Sequence, residues 1–429
     1  MDHQIHDVFI PESKLPRIVV VGCGFAGFSF IKAMKGKPFQ IVLLDQNNFH
    51  QFQPLLYQVA TSGIEPDSIV FPARKMFENY PNFHFRMTKV FSVNFSEKTL
   101  DTEIGQIHYD YLILASGSCT NFFGLNDIEK NAVGMKTIQE ALDIRSLILQ
   151  NLEMAVAIGN PEKRKSLLTF VVVGGGPAGV ETAGALAEFK KYVVPNDYPD
   201  LDSNEIKIFL IEAGDRLLRN MHEKLSKKSF KYLQEMGIEI MLNTVVKNYD
   251  GNILTTDKQQ TINAGAVIWT AGVKGNALAG IEKTLLSKDH RIIVDKYFRI
   301  PNLDNVFAIG DLALQTSENF PHGHPMVAPA AIQQGRYLGK NFQDIIQNKN
   351  VPVFEYIDKG SMSAIGRKKA VAQIKNMLFS GYFAWLLWSV IHLISISGFK
   401  NKLIVGIDWI VSYFSYEKSN RFIIRKFKK

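Results

Sequence analysis

Residues 17–45 read RIVVVGCGFAGFSFIKAMKGKPFQIVLLD. A β-branched run at 18–21 leads into Gly22-x-Gly24-x-x-Gly27, then a helix-like segment, then a second apolar run at 41–44 that ends on Asp45. Strand, glycine turn, helix, strand and acid in this order form the βαβ dinucleotide fingerprint. Gly22 permits the tight turn, Gly24 lets backbone approach a pyrophosphate, and Gly27 allows close helix–strand packing. The helix N-terminus offers free N–H groups and partial positive charge to phosphates. Asp45 can accept hydrogen bonds from a ribose.

The pattern recurs. Residues 167–173 read as a strand, Gly174-x-Gly176-x-x-Gly179 as a second glycine turn, 180–192 as a helix, and 206–211 as a strand closing on Glu212. The interval to the acid exceeds the usual ~20 residues, and the excess lies in YVVPNDYPDLDSNE, which reads as loop. Two fingerprints imply two nucleotide-type ligands. Glu212 suits a free ribose 2′-hydroxyl and would repel a 2′-phosphate, which favours NADH over NADPH.

Between and after these units, two strand ends are built from small residues. Tyr109 to Gly117 reads YDYLILASG, and Ala115-Ser116-Gly117 leaves room beneath a flat ligand. Trp269-Thr270-Ala271-Gly272 mirrors it. A third strand ends in Ile309-Gly310-Asp311, where Asp311 is placed to bond a ribityl hydroxyl or to serve as an N-cap. Within PMVAPAAIQQGRYLG (325–339), Ala328, Ala330 and Ala331 would let a helix approach a ring system. Gln333 and Gln334 are either neutral donors and acceptors for a ligand or a solvent-exposed pair.

The segment after Asp45 is polar, Pro-interrupted and aromatic, and reads as a long functional loop. A helix is expected at 72–80, and strands at 83–87, 90–94, 99–101 and 106–108 as one antiparallel meander. Helices are expected at 137–157 and 221–236, the latter with Gly237 as C-cap.

The 429 residues suffice for two or three domains, and 46% hydrophobic with 21% charged content fits a globular chain. The net charge of +8 comes with no basic low-complexity arm and no zinc-finger spacing, so no nucleic-acid partner is expected. Cys23 and Cys119 make no CxxC pair, which leaves disulfide exchange and metal clusters without ligands. Cys23 reads as a small packing residue. The opening residues carry no apolar h-region and are not Arg-rich, so no secretory signal or transit peptide is expected.

Residues 376–399 contain no Asp, Glu, Lys or Arg over 24 positions, long enough to span a bilayer. In 403–416, Asp408, Ser412 and Ser415 form one polar stripe against Ile407, Trp409, Ile410, Val411 and Phe414, an amphipathic helix. The end, RFIIRKFKK, sets Arg421, Arg425, Lys426, Lys428 and Lys429 beside Phe422, Ile423, Ile424 and Phe427. That combination suits an anionic membrane surface. A buried hairpin, an oligomer interface and a spanning helix are the alternatives.

Two nucleotide folds side by side, with an FAD-type first fold completed by sequence after the second, point to hydride transfer from NADH to flavin. At this level the sequence resembles the type II NADH dehydrogenases, single-subunit NADH:quinone oxidoreductases that do not pump protons. The matching stretches are GCGFAG (22–27), NNFHQFQPLLYQVATSGIEPDSI (47–69), LASGSCTNFFG (114–124), VVVGGGPAGVETAGAL (171–186), WTAGV (269–273), FAIGD (307–311), PAAIQQG (329–335), SAIGRKKAV (363–371) and FSGYFAWLLWSVIHL with GFKNKL (379–403).

The resemblance implies an α/β fold with two Rossmann-like dinucleotide-binding domains, like the disulfide-reductase flavoproteins, plus a C-terminal amphipathic helical membrane segment. Residues 14–125 with 290–345 would bind FAD, 126–289 would bind NADH, and 346–429 would anchor the chain from about 376. FAD, held non-covalently, would contact Gly22, Gly24, Gly27, Asp45, Gln53, Ala115, Gly117, Gly310 and Asp311. NADH would contact Gly174, Gly176, Gly179, Glu181, Glu212 and Gly272. Glu181, read as lying in the first turn after the second glycine loop, would work near the nicotinamide–flavin junction; complementing the helix dipole is its structural alternative. A menaquinone or ubiquinone would accept electrons near Ala330, Gln333 and Gln334, with no metal involved.

One departure stands out. The family's Ala-Gln is Ala328-Pro329 here, and Pro329 offers neither a side-chain hydrogen bond nor an N–H. The expected partners are a lipid surface, the quinone pool and a second copy of the chain. The expected place is peripheral, on the cytoplasmic face of a bacterial cell membrane. A sulfide:quinone or ferredoxin reductase type of flavoprotein, and a non-enzymatic redox sensor, remain the alternatives.

Overall fold

The computed structural model describes residues 7–415, 420–423 and 426–427. They divide into two compact units. One comprises residues up to His50, Phe71–Cys119 and Val273–Asp358; the other comprises Gln51–Val70, Thr120–Gly272 and the residues from Lys359 on.

The first unit is built on a five-stranded parallel sheet in the order Val306–Ala308, Tyr111–Leu114, Arg17–Val21, Gln40–Asp45, Phe83–Met87. Ile18, Val19, Val20 and Leu112–Leu114 are fully buried, as parallel strands covered on both faces must be. Helix Phe25–Ala33 packs on helix Ala328–Ile346 through glycine. A Cβ at Gly335 would sit 2.2 Å from the Ala26 carbonyl oxygen, and one at Gly339 2.6 Å from that of Phe30. The helices therefore meet backbone to side, and this close approach is made to a neighbouring helix.

Two expectations are corrected here. Strand Phe83–Met87 belongs to the parallel sheet, while Val90–Asn94, Thr99–Thr102 and Gly105–His108 alone form the antiparallel meander. The helix expected over 72–80 is one turn, Ala73–Met76. Beyond it, Phe77 turns into an aromatic cluster with Tyr80 and Phe83, and that burial outweighs helical continuation.

The second unit repeats the plan. Its parallel sheet runs Val133–Gly134, Ala266–Trp269, Thr169–Val173, Lys207–Ile211, Glu239–Met241. Helix Pro177–Tyr192 follows the second glycine turn, and helix Ile138–Ala157 opens on a capping box made by Thr137 and Glu140. Residues 51–70 are not the irregular loop expected. They hold a 3-10 turn, Gln53–Leu55, a short helix, Leu56–Ala60, and a second 3-10 turn, Pro66–Ile69. Leu55, Leu56, Val59, Ala60, Ile64 and Ile69 are buried. Their burial stabilises elements too short to stand alone.

The 24-residue uncharged stretch is broken in two. Strand Met377–Gly381 closes a three-stranded antiparallel sheet with Ser361–Gly366 and Lys369–Ile374, and Gly381 at φ +78° turns the chain into helix Tyr382–Ser395. Helix Phe399–Ser415 follows after Gly398. At 14 and 17 residues these are about 21 and 26 Å long, short of a ~30 Å hydrocarbon core. No described helix is long and apolar enough to cross a membrane.

Candidate active site

In the first unit each fingerprint glycine has a separate task. Gly22 takes φ +107°, and a Cβ there would lie 2.3 Å from the Ala115 carbonyl oxygen. A Cβ at Gly27 would strike the Gly22 oxygen at 2.0 Å. Gly24 is different: nothing lies within 4 Å of its Cβ position, and it opens helix Phe25–Ala33 with no side-chain cap. The first N–H groups of that helix thus face open space at the point where a pyrophosphate would sit. Asp45 accepts from the Cys23 N–H at 2.6 Å and from the Asn47 N–H at 2.8 Å, while burial pushes its pKa up. His50, which the sequence did not single out, takes the Cys23 carbonyl at 2.7 Å through Nδ1. Cys23 is packed and buried, and burial pushes its thiol up.

Ala115 is buried, and Gly117 at φ +71° has nothing within 4 Å. Asp311 accepts from the Ser118 hydroxyl at 2.6 Å. It is not an N-cap: Ile309 caps the 3-10 turn Gly310–Leu312 that contains it. Gly310, at φ +77°, donates its N–H to Gln334 Oε1 at 2.7 Å. An open glycine at an uncapped helix end, an acid closing the second strand and a small-residue floor together fit a flavin dinucleotide. Gln53 lies in the second unit, at the start of its 3-10 turn.

The second unit uses the same construction. A Cβ at Gly174 would lie 2.7 Å from Ala271 N, and one at Gly179 1.8 Å from the Gly174 oxygen; Gly176 has nothing within 4 Å and heads an uncapped helix. Glu212 accepts from the Gly175 N–H at 2.5 Å and the Gly214 N–H at 2.6 Å. Gly272 is packed beneath the Phe123 ring, 2.7 Å from its Cβ position.

Glu181 sits in the second turn of its helix rather than the first, since the helix begins at Pro177. It is only 8% exposed. A Cβ at Gly184 would be 2.1 Å from the Ile365 carbonyl oxygen, so the helix lies directly against strand Ser361–Gly366. That approach brings the Ala364 N–H to Glu181 Oε1 at 3.2 Å. Burial raises the Glu181 pKa to about 8; the Ala364 N–H, Trp388 and Ser363 hold the rise down. The carboxyl lines a cleft walled also by Tyr57, Gln58, Trp385, Trp388 and Trp409. Sequence reasoning named none of these five as site residues. The one available signal was the apolar-aromatic run PLLYQVAT inside an otherwise polar segment.

The expected quinone residues belong to the first unit. Ala330 and Gln334 are buried. Gln333 spends both ends of its amide on the Ile357 backbone, at 2.9 and 3.1 Å, so it is not a free amide. Gln334 holds Gly310 and reaches His324 Nδ1 at 3.5 Å. Pro329 falls in the first turn of helix Ala328–Ile346, where no N–H is required.

The C-terminal helices carry their apolar residues outward. Phe383, Leu386, Val390, Ile394, Leu403, Ile407, Ile410 and Val411 are exposed. Trp409 sides with the polar stripe, not against it: Trp409 and Ser412 line the cleft. The side chains of Phe414 and Ser415, and all of Tyr416, lie outside the described residues, as do Ile424, Arg425, Lys428 and Lys429. Arg421 pairs with Asp197 at 2.8 Å. The Phe422 ring lies 5.4 Å from the Arg145 guanidinium.

Residues 16–335 match the pyridine nucleotide-disulphide oxidoreductase family, and 359–415 match the NDH2 C-terminal domain. A type II NADH:quinone oxidoreductase of Mycobacterium tuberculosis is 35% identical over 423 residues, covering 94% of this chain and 90% of the relative. An internal alternative NAD(P)H-ubiquinone oxidoreductase of Arabidopsis thaliana mitochondria is 27% identical, over 96% and 87%. Among solved structures, NDH2 of Plasmodium falciparum in complex with NADH superposes with a TM-score of 0.87 at 23% identity, over 96% of this chain and all of that one. The sulfide:quinone oxidoreductase of Aquifex aeolicus shares the fold at 0.70 and 18%, over 93% and 95%.

Proposed function

This chain belongs to the type II NADH:quinone oxidoreductases and to the pyridine nucleotide-disulphide oxidoreductases, and we infer from this that it oxidises NADH and reduces a membrane quinone by two electrons without pumping protons. FAD, held by the first-unit residues named below, would supply the two-electron relay between NADH and the quinone. The observation that carries the reading is the duplicated turn: each unit has one open glycine at an uncapped helix end and one acid at the second strand's end.

We assign FAD to residues 14–125 with 290–345 and NADH to 126–289, with 346–429 as the anchoring region. Gly22, Gly24, Gly27, Asp45, Gln53, Ala115, Gly117, Gly310 and Asp311 hold FAD. Gly174, Gly176, Gly179, Glu212 and Gly272 hold NADH, and the Glu212 carboxylate disfavours a 2′-phosphate. Glu181 keeps its proton at neutral pH and gives the cleft a neutral acid. Quinone enters that cleft, whose indole and phenol faces suit a flat ring. Gln334 keeps a supporting part by holding the Gly310 turn, and Gln333 by holding the chain at Ile357, with Ala330 buried in the same helix.

The outward apolar face of the two C-terminal helices rests on a lipid surface, peripherally, on the cytoplasmic side of a bacterial cell membrane. Without lipid the same face serves a homodimer. A sulfide:quinone reaction would need reactive thiols, and Cys23 is sealed in the core.

The test is steady-state NADH oxidation by the FAD-loaded protein with menaquinone and ubiquinone analogues. NADH-driven quinone reduction, with NADPH far slower, is expected. Flavin-containing protein that oxidises NADH with ferricyanide but reduces neither quinone would overturn the acceptor.

A further inference from the structure

The cleft beside Glu181 contains a hydrogen-bond chain whose direction is set by its outer end. Trp409 Nε1 donates to Gln58 Oε1 at 2.9 Å. An indole N–H can only donate, so it fixes which end of the Gln58 amide faces outward. The NH₂ end must then face Tyr57, and Gln58 Nε2 donates to the Tyr57 oxygen at 3.0 Å. A phenol that accepts from its neighbour has its own proton left to give. Among the described residues nothing accepts that proton, and Tyr57 is only 7% exposed on the wall of the cleft.

We propose that Tyr57 donates a hydrogen bond to a carbonyl oxygen of the quinone, and that Gln58, oriented by Trp409, is the positioning residue that keeps the Tyr57 proton turned into the cleft. This rests on the reading of the cleft as the quinone site. As electrons reach the quinone, negative charge grows on its carbonyl oxygens. A donor already aimed at one of them in a water-poor site stabilises that charge without reorganising. Burial, with Glu181 and Glu188 nearby, holds the Tyr57 pKa well above its ordinary value, so the phenol stays a donor. The chain starts on helix Phe399–Ser415, and Asn401 Nδ2 ties the same helix to the Val70 carbonyl at 2.8 Å. The helix that carries the outward apolar face thus also sets the donor.

The test uses FAD-loaded full-length protein and a short-chain menaquinone analogue. In stopped flow, the rate of flavin reoxidation by quinone is divided by the rate of bleaching by NADH. Tyr57→Phe removes the proton. Gln58→Glu has nearly the same volume and still accepts from Trp409, but it cannot donate to Tyr57 and draws the Tyr57 proton to itself. Each should lower the ratio about tenfold, and the double variant should fall no further than either single one, because both act through one proton. Trp409→Phe, which keeps an aromatic ring and loses the N–H, should give a smaller loss. Multiplying losses in the double variant, or an unchanged ratio in Tyr57→Phe, would overturn the proposal. If Glu181→Gln lowers the ratio while Tyr57→Phe does not, the cleft stands as the quinone site and only the Tyr57 assignment falls. If neither changes it while quinone is still reduced, the cleft reading falls as well.

Discussion

Glu181 shows how burial lets an ordinary carboxyl keep its proton near neutral pH. Its helix is held against strand Ser361–Gly366 by Gly184, and desolvation raises its pKa to about 8. Quinone-dependent turnover at saturating NADH should hold steady up to about pH 7 and decline as pH passes 8. Glu181→Gln should turn over more slowly, keep its FAD and lose that alkaline limb; wild-type rates across pH in this variant would exclude the role. Stability follows the same group. Between its unfolded value near 4.5 and its folded value near 8, the folded chain retains a proton that the unfolded chain releases. Stability therefore falls as pH rises through that window, and Glu181→Gln should flatten the melting temperature between pH 6 and 9. The glycines separate folding from binding. Gly179→Ala puts a Cβ 1.8 Å from a carbonyl oxygen and should lower the melting temperature, whereas Gly176→Ala meets no protein atom and should raise the KM for NADH at near-wild-type stability. The glycine pattern was legible because each position answers to a local backbone demand. Tyr57 and Gln58 were not, because Trp409, which orients them, is 351 residues away in sequence.

At the scale of elements, amphipathic pattern was readable but its direction was not. The sequence marks Asp408 and Ser412 as a polar stripe, yet only packing reveals that this stripe, with Trp409, turns toward the protein while Ile407 and Ile410 face outward. Ile407→Glu with Ile410→Glu should therefore cut co-sedimentation with anionic vesicles at least tenfold, since each outward apolar side chain contributes roughly 1.5–3 kcal/mol when buried. The melting temperature should not fall, and loss of fold in this variant would contradict the outward assignment. Thr137→Ala, by contrast, breaks the capping box of helix Ile138–Ala157 and should cost about 1 kcal/mol, measured by denaturant unfolding. The uncharged stretch looked long enough to span because composition does not register Gly381, whose positive φ ends a strand and starts a helix. The short elements of 51–70 were missed because no intrinsic propensity forms them; burial of Leu55, Leu56 and Val59 does.

At the scale of the molecule, the chain runs through one nucleotide fold, inserts a second, returns to the first and then forms two apolar-faced helices. The return was legible in FAIGD, and strand Val306–Ala308 does join Tyr111–Leu114 in the first sheet. The assignment of 83–87 to that sheet was not, because a short strand's alternation does not reveal its partner. The central claim is that these parts pass an electron pair from NADH to a quinone. An anaerobic titration of the FAD-loaded protein tests it most directly. NADH should bleach the flavin absorbance, NADPH should bleach it weakly, and a menaquinone or ubiquinone analogue should restore it rapidly. Bleaching that no quinone reverses would contradict the acceptor, and no bleaching by NADH would contradict the function as a whole.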